Sequence, residues 1–373
     1  MEPLGPYALP LFKELKCYQK YGCFSPSCHR PGLLLPFLME EFYVQWHLTN
    51  FCNLRCRHCY QEDFSKEADL PFPELAKIAD NFLSAIEGWD RQAFVHLTGG
   101  EPLLQKDLFP LLKYLDQNPA VAELGIITNG FLLDAAMAER LSVFPKLKNL
   151  KISLDGPDPE TNDAIRTAGA FQRVRQNLLS LPRDGRFEIL LMFTVMKINA
   201  SGILPFIQFA RDLGVAGMIL ERFIPWGRGR GMAEGVLSPP EWRQLVLSLY
   251  EFFGLELEEN EVPPYQAFQV GFQSPEAELL GAPCVLGTDG LCVMPDGTVF
   301  PCRRFPLPIG NLLQDPLKSI WEKSEVLEKV RRKGNLKGKC GTCRIGECTG
   351  CRSLAYALTG DFLAEDPHCW YRP

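Results

Sequence analysis

The sequence has no cysteine between residues 60 and 283, although the whole chain of 373 residues carries 14. Three stand at Cys17, Cys23 and Cys28, three at Cys52, Cys56 and Cys59, and eight between Cys284 and Cys369. Thiols used for packing would not crowd at both ends around so long a gap. In a reducing compartment they are a poor disulfide framework, which leaves metal binding as the first reading. Uninterrupted apolar runs near twenty residues are also missing, so no membrane span is expected. A formal net charge of -6 and a pI near 5.6 give no basic footprint for nucleic acid. The opening "MEPLGPYALPLFKELKCYQ" lacks the basic start and long apolar core of a secretion signal, so the expected location is cytoplasmic. Histidine is scarce, and His29, His47, His58, His96 and His368 are not spaced as a catalytic set.

Residues 42 to 253 alternate between apolar, β-rich runs and amphipathic stretches. The strand readings are "FYVQWHLT" (42–49), "AFVHLTG" (93–99), "ELGIITN" (123–129), "NLKISLD" (149–155), "RFEILLMFTVM" (186–196) and "GMILERF" (217–223). Helical readings such as 71–88, 135–144 and 170–181 lie between them. Six strand–helix units predict a parallel α/β architecture, either a barrel or a doubly wound sheet, and periodicity does not choose between the two. In a barrel, chemistry sits at the C-terminal ends of the strands, where the Cys52–Cys59 segment falls. Residues 254–283, rich in acid and proline, read as a linker or bridge. The remainder, 284–373, has PDG and PLPIG turns and one clear helix, 319–333. It is too small to bury much core, so it needs an internal staple. Residues 1–41 form an N-terminal extension. Its Cys17, Cys23 and Cys28 read first as free thiols, with metal binding beside His29 as the alternative.

In "TNFCNLRCRHCYQE" (49–62) the spacing is C-x3-C-x2-C, with no fourth thiol nearby. Structural zinc takes four ligands, usually in close pairs, so zinc here would have to borrow a distant one. An iron–sulfur cluster held by three thiolates keeps one iron open for a small molecule. This motif resembles that of the radical S-adenosylmethionine (SAM) enzymes, with His58 where an aromatic residue often stands. The resemblance implies a partial (β/α)6 TIM-like barrel and a 4Fe-4S cluster on Cys52, Cys56 and Cys59, whose open iron binds SAM. Reductive cleavage of SAM then gives a 5'-deoxyadenosyl radical that takes a hydrogen atom from the substrate. "TGGEPLL" (98–104) fits the same family. There Gly99 and Gly100 would let backbone approach a ligand, and Glu101 would accept from the SAM ammonium. In "ISLDGP" (152–157), Ser153 resembles the ribose-contacting serine and Asp155 would help shape the site. Arg166 or Arg222 would pair with the SAM carboxylate. "TNG" (128–130), Thr194 and "ILERF" (219–223) are further pocket candidates at strand ends.

"CVLGTDGLCVMPDGTVFPC" (284–302), "CGTCRIGECTGC" (340–351) and Cys369 resemble the SPASM extension of this family, a small cysteine-rich α+β domain holding two auxiliary 4Fe-4S clusters. By that resemblance Cys340, Cys343, Cys348 and Cys369 hold the distal cluster. Cys284, Cys302 and Cys351 hold the nearer one, with Cys292 either its fourth ligand or a buried thiol. The x4 and x2 spacings in the second run are each one residue shorter than the usual pattern. Two CxxC pairs alone would also suit a zinc ribbon. The family mostly modifies ribosomally made peptides, so the expected activity is oxidative modification of a precursor peptide, with auxiliary clusters taking up electrons. The ending "TGD…DPHC" resembles a cofactor-building branch, which makes tetrapyrrole side-chain decarboxylation in haem synthesis the alternative. Sulfatase activation is a weaker one. The implied partners are peptide or porphyrin and an electron donor such as flavodoxin or ferredoxin.

Overall fold

The computed structural model describes residues 40–257, 267–272, 277–282, 284–345 and 348–371. Cys17, Cys23, Cys28 and His29 lie outside the described residues.

Strands β1 (Glu40–His47), β2 (Arg91–Thr98), β3 (Val121–Thr128), β4 (Leu147–Ser153), β5 (Glu188–Val195) and β6 (Gly217–Arg222) stand in sequence order and pair in parallel. A doubly wound sheet would reverse its order at a switch point, so consecutive order decides for the barrel. The ring is unclosed, because each edge accepts further strands instead of its opposite. Between the strands run α1 (Phe72–Gly88), α2 (Leu108–Gln117), α3 (Ala135–Leu141), α4 (Pro159–Ile165), α5 (Ala170–Ser180) and α6 (Ile203–Asp212), and α7 (Pro239–Phe252) follows β6.

Side-chain alternation sets which face meets the helices. In β1, Phe42, Val44 and Trp46 are fully buried, while Tyr43 and Gln45 between them are half-buried. Leu75, Ile78, Ala79, Phe82, Leu83 and Ile86 form the matching stripe on α1, at a spacing of three and four.

Part of the stretch read as a linker is sheet. β7 (Ala267–Gly271) and β8 (Glu278–Ala282) form an antiparallel extension beside β6. The opposite edge takes the tail, where β9 (Gly290–Val293) pairs in parallel with β1, followed by β10 (Thr298–Phe300) and β11 (Gly310–Asn311). All eleven strands belong to one sheet.

The single tail helix expected at 319–333 is two, α8 (Leu317–Lys323) and α9 (Glu325–Arg331). Ser324 divides them, because its extended backbone ends α8 and its hydroxyl accepts from the Leu327 N–H (3.3 Å) at the start of α9. Beyond them lie α10 (Lys339–Thr342) and α11 (Arg352–Thr359).

The tail is anchored on the barrel. Asn81 of α1 donates to the Leu312 and Asp315 carbonyls (2.6 and 2.8 Å) and accepts from Leu317 N–H (2.8 Å). Trp321 packs on Phe42 and Trp89, with ring centroids 5.2 and 5.8 Å away. The tail's own apolar core is small, centred on Leu286, Phe305, Leu327 and Val330 with Cys284 and Cys302 against it. That is the situation in which a metal centre supplies the missing cohesion.

Candidate active site

The cysteine loop leaves the C-terminal end of β1 and is held from both sides. On one side Gly100 N–H donates to the Thr49 carbonyl (2.7 Å) and Glu101 N–H to that of Phe51 (2.9 Å). A Cβ on Gly100 would stand 2.3 Å from the Phe51 carbonyl oxygen, so only glycine lets the two backbones meet there. On the other side Gly229 N–H donates to the Cys59 carbonyl (2.9 Å), and a Cβ on Gly227 would lie 2.4 Å from the Tyr60 carbonyl carbon. The neck is closed by the Gln61 amide, which donates to the Asn50 and Asp63 carbonyls (2.6 and 2.7 Å). Thus the close neighbour that requires Gly99 and Gly100 is the cysteine loop itself. The run "WGRGRG" (226–231), not singled out in the sequence, is its other jaw.

Cys52, Cys56 and Cys59 are free thiols that face one cleft. Burial raises all three pKa values, that of Cys56 to about 11, and the charges of Cys59 and Cys52 both add to the rise at Cys56. Two donors already point at Cys52 Sγ, the Leu54 N–H (3.4 Å) and the Asn129 amide (3.6 Å). Such donors favour a thiolate ligand once a metal displaces the proton.

All six barrel strands contribute to the cleft wall, through Gln45, Thr98, Ile127, Ser153, Thr194 and Glu221. Gly99, Gly100, Thr128, Asn129, Arg166 and Arg222 also line it. Glu101 and Asp155 do not. Glu101 is fully buried and accepts from Leu103 N–H (3.1 Å), Thr128 hydroxyl (2.8 Å) and Asn129 N–H (2.9 Å). Burial still outweighs those donors and raises its pKa to about 7. Its carboxylate fixes the Thr128–Asn129 turn, and through Asn129 the Cys52 thiol. Asp155, likewise fully buried, accepts from Thr194 N–H (2.8 Å) and pairs with Arg166 Nε (2.8 Å) and His58 Nε2 (3.4 Å). Burial drives the His58 pKa down to about 4. The position of Asp155 beneath the wall lets it orient Arg166 without reaching the cleft.

His47 and His96 also separate. His47 bridges Asn50 (Nε2, 3.0 Å) and Arg303 (Nδ1, 2.7 Å) at the cleft edge. His96 lies deeper, against Lys151 (3.4 Å), in space opened by Gly125. Among the wall residues not anticipated are Tyr60, Arg303 and Arg304. The one local signal was the double arginine of "PCRRFP", adjoining Cys302.

In the tail, Cys340, Cys343, Cys348 and Cys369 line a single cavity with Asp366 and His368. Asp366 N–H (3.2 Å) and an Arg352 guanidinium nitrogen (3.8 Å) approach Cys340 Sγ, and Ile345 N–H approaches Cys343 Sγ (3.4 Å). Cys284, Cys302 and Cys351 form a second group. Burial raises the Cys284 pKa to about 12, with further contributions from the charges of Cys302 and Cys351. Cys292 is fully buried in β9, and burial pushes its pKa to about 12, with a contribution from Cys302.

Among the described residues, no three His, Cys, Asp or Glu side chains converge on a point that would hold one metal ion.

A three-thiol loop at the mouth of an open parallel barrel, joined to a second thiol-rich module, defines an iron–sulfur enzyme with one coordination position left for a small molecule. The chain belongs to the radical SAM enzymes. The Radical SAM superfamily matches residues 46–210, and the SPASM iron-sulfur cluster-binding domain matches 284–351. The AdoMet-dependent heme synthase of Methanosarcina barkeri is 32% identical over 346 residues, which cover 88% of this chain and 96% of that one. Mycofactocin maturase MftC of Mycolicibacterium smegmatis is 26% identical, with 90% of this chain and 86% of the other covered. Among solved structures, anSMEcpe with bound AdoMet superposes with a TM-score of 0.67 at 18% identity, covering 88% and 90% of the two chains. That likeness concerns the fold. Family membership implies a 4Fe-4S cluster and SAM as cofactors, with further iron–sulfur binding in the tail. Among the described residues no helix is long and apolar enough to cross a membrane.

Proposed function

We propose that this enzyme oxidatively decarboxylates propionate side chains of an iron porphyrin in haem synthesis. The observation that carries the reading is the 32% identity to a heme synthase across 96% of that protein. A precursor peptide, the substrate expected first from the family at large, becomes the second reading. It is supported by the 26% identity to a mycofactocin maturase.

On this reading Cys52, Cys56 and Cys59 hold the 4Fe-4S cluster that binds SAM. Cys340, Cys343, Cys348 and Cys369 hold a distal auxiliary cluster, and Cys284, Cys302 and Cys351 a nearer one. Once bound, the first cluster and SAM would supply the radical chemistry that removes a hydrogen atom from the substrate. The chain's own residues position the reactants. Ser153 and Arg166 offer a hydroxyl and a cation to the ribose and carboxylate of SAM, and Asp155 keeps Arg166 turned toward them. Glu101 acts through Asn129 on the geometry of Cys52. Each side chain loses a hydrogen atom, its carboxylate leaves as carbon dioxide, a carbon–carbon double bond forms, and one electron is released. That electron equals the one consumed in cleaving SAM, so the reaction balances with a one-electron carrier such as ferredoxin or flavodoxin.

The test is anaerobic incubation of iron-loaded enzyme with reductant, SAM and iron coproporphyrin III, following 5'-deoxyadenosine and porphyrin mass together. Loss of carbon dioxide and two hydrogens per side chain, matched to deoxyadenosine, is the expected result. An unchanged porphyrin, with a short peptide encoded beside the gene modified instead, would replace this reading with the second.

A further inference from the structure

Of the four arginines on the cleft wall, three already have carboxylates. Arg166 pairs with Asp155 (2.8 Å), Arg222 with Asp366 (2.8 Å) and Arg304 with Glu221 (3.3 Å). Arg303 has none within ion-pair distance among the described residues. It is only 6% exposed, yet it lines the cleft.

Its guanidinium is held rigidly on two sides. Nε donates to His47 Nδ1 (2.7 Å), and His47 is itself fixed by Asn50 (3.0 Å). Since Nδ1 accepts, the imidazole is the neutral form with its proton on Nε2, directed at the Asn50 side-chain oxygen Oδ1. The guanidinium carbon lies over the Tyr60 ring, 4.0 Å from its centroid. Nη2 is buried and has no hydrogen-bond partner. An arginine keeps its charge when buried, so a clamped cation with an unused donor edge is a site prepared for an anion.

We propose that Arg303 binds a carboxylate of the substrate, anchoring one acidic side chain so that another is presented for reaction. A planar, fixed guanidinium suits a carboxylate through two parallel hydrogen bonds. This rests on the porphyrin reading, in which the substrate carries several propionates and keeps some of them. A competing use of the same cation is to neutralise the cluster near Cys59, whose thiol feels the Arg303 charge.

The experiment is an absorbance titration of the iron-loaded enzyme with iron coproporphyrin III and with its tetramethyl ester. Arg303→Gln and Arg303→Lys are compared with the wild type at equal iron content. Arg303→Gln is expected to weaken binding of the free acid at least tenfold and to bind the ester as the wild type does. Lysine, which keeps the charge, should recover part of the loss. Equal affinity for the free acid in wild type and Arg303→Gln would overturn the assignment alone. The same result with a shifted midpoint potential of the SAM-binding cluster would give the cation to the cluster instead. No binding of the porphyrin by the wild type would remove the porphyrin reading, and this assignment with it.

Discussion

The loop at the barrel mouth and the C-terminal tail solve one problem, gathering thiols, in opposite ways. In the loop the three cysteines lie within eight residues, and distant chain supplies only the clamp, from Gly100 on one side and Gly227 and Gly229 on the other. In the tail each ligand set includes a remote thiol, Cys369 standing 21 positions beyond Cys348 and Cys284 standing 67 positions before Cys351, so the fold must gather them. Lys337 N–H donates to the Leu363 carbonyl (2.8 Å) and Lys339 Nζ to that of Cys369 (2.6 Å), which brings Cys369 to Cys340 and Cys343. A local ligand set is organised mainly by its own loop, whereas a dispersed set is coupled to the folding of everything between its members.

The sharpest way to separate the regions is to remove one ligand from each. Cys56→Ala is expected to abolish SAM cleavage while leaving the tail's iron in place. Its effect should exceed the roughly 10–100-fold that loss of a mere outer partner causes at a metal site. Iron analysis with a deoxyadenosine assay reads both, and cleavage near the wild-type rate would break the assignment of the loop. Cys343→Ala should have the next largest effect. About four irons per chain would be lost, substrate oxidation would fall by about tenfold or more, and the electron paramagnetic resonance signal of the SAM-binding cluster would persist. Disappearance of that signal would mean that the two regions do not fold as separately as their ligand spacing suggests.

The same contrast governs what the sequence made legible. Strands β1 to β6 were readable because alternation along eight or fewer residues is a local signal, and the boundaries moved by only a few residues. The Cys52–Cys59 spacing and "GGE" were readable for the same reason. The Arg303–His47 contact was not, because 256 positions separate the partners. They meet only because β9 pairs with β1 and places Cys302 and its neighbour beside the barrel mouth. The strands β7 and β8 escaped notice because five residues each, amid acid and proline, carry too little alternation to stand out. Spacing marks Glu101 and Asp155 near the cysteine loop, but only the fold shows that both carboxylates are fully buried and bonded within the wall.

Cys292→Ala is the change expected to do least, and it tests the tail against itself. The distal group has four thiols on one cavity, whereas the nearer group has Cys284, Cys302 and Cys351, with Cys292 buried in β9 as the candidate fourth. Its Sγ is fully buried in β9 and directed at the Val293 carbonyl (3.7 Å). Truncating a small buried side chain here should lower stability by about 1 kcal/mol and leave the iron content unchanged. An unchanged iron content in this variant, beside the loss in Cys343→Ala, would leave the nearer cluster with one iron not held by a cysteine. A drop of about four irons per chain would instead make Cys292 the fourth ligand, and the two auxiliary sites would then be equally closed.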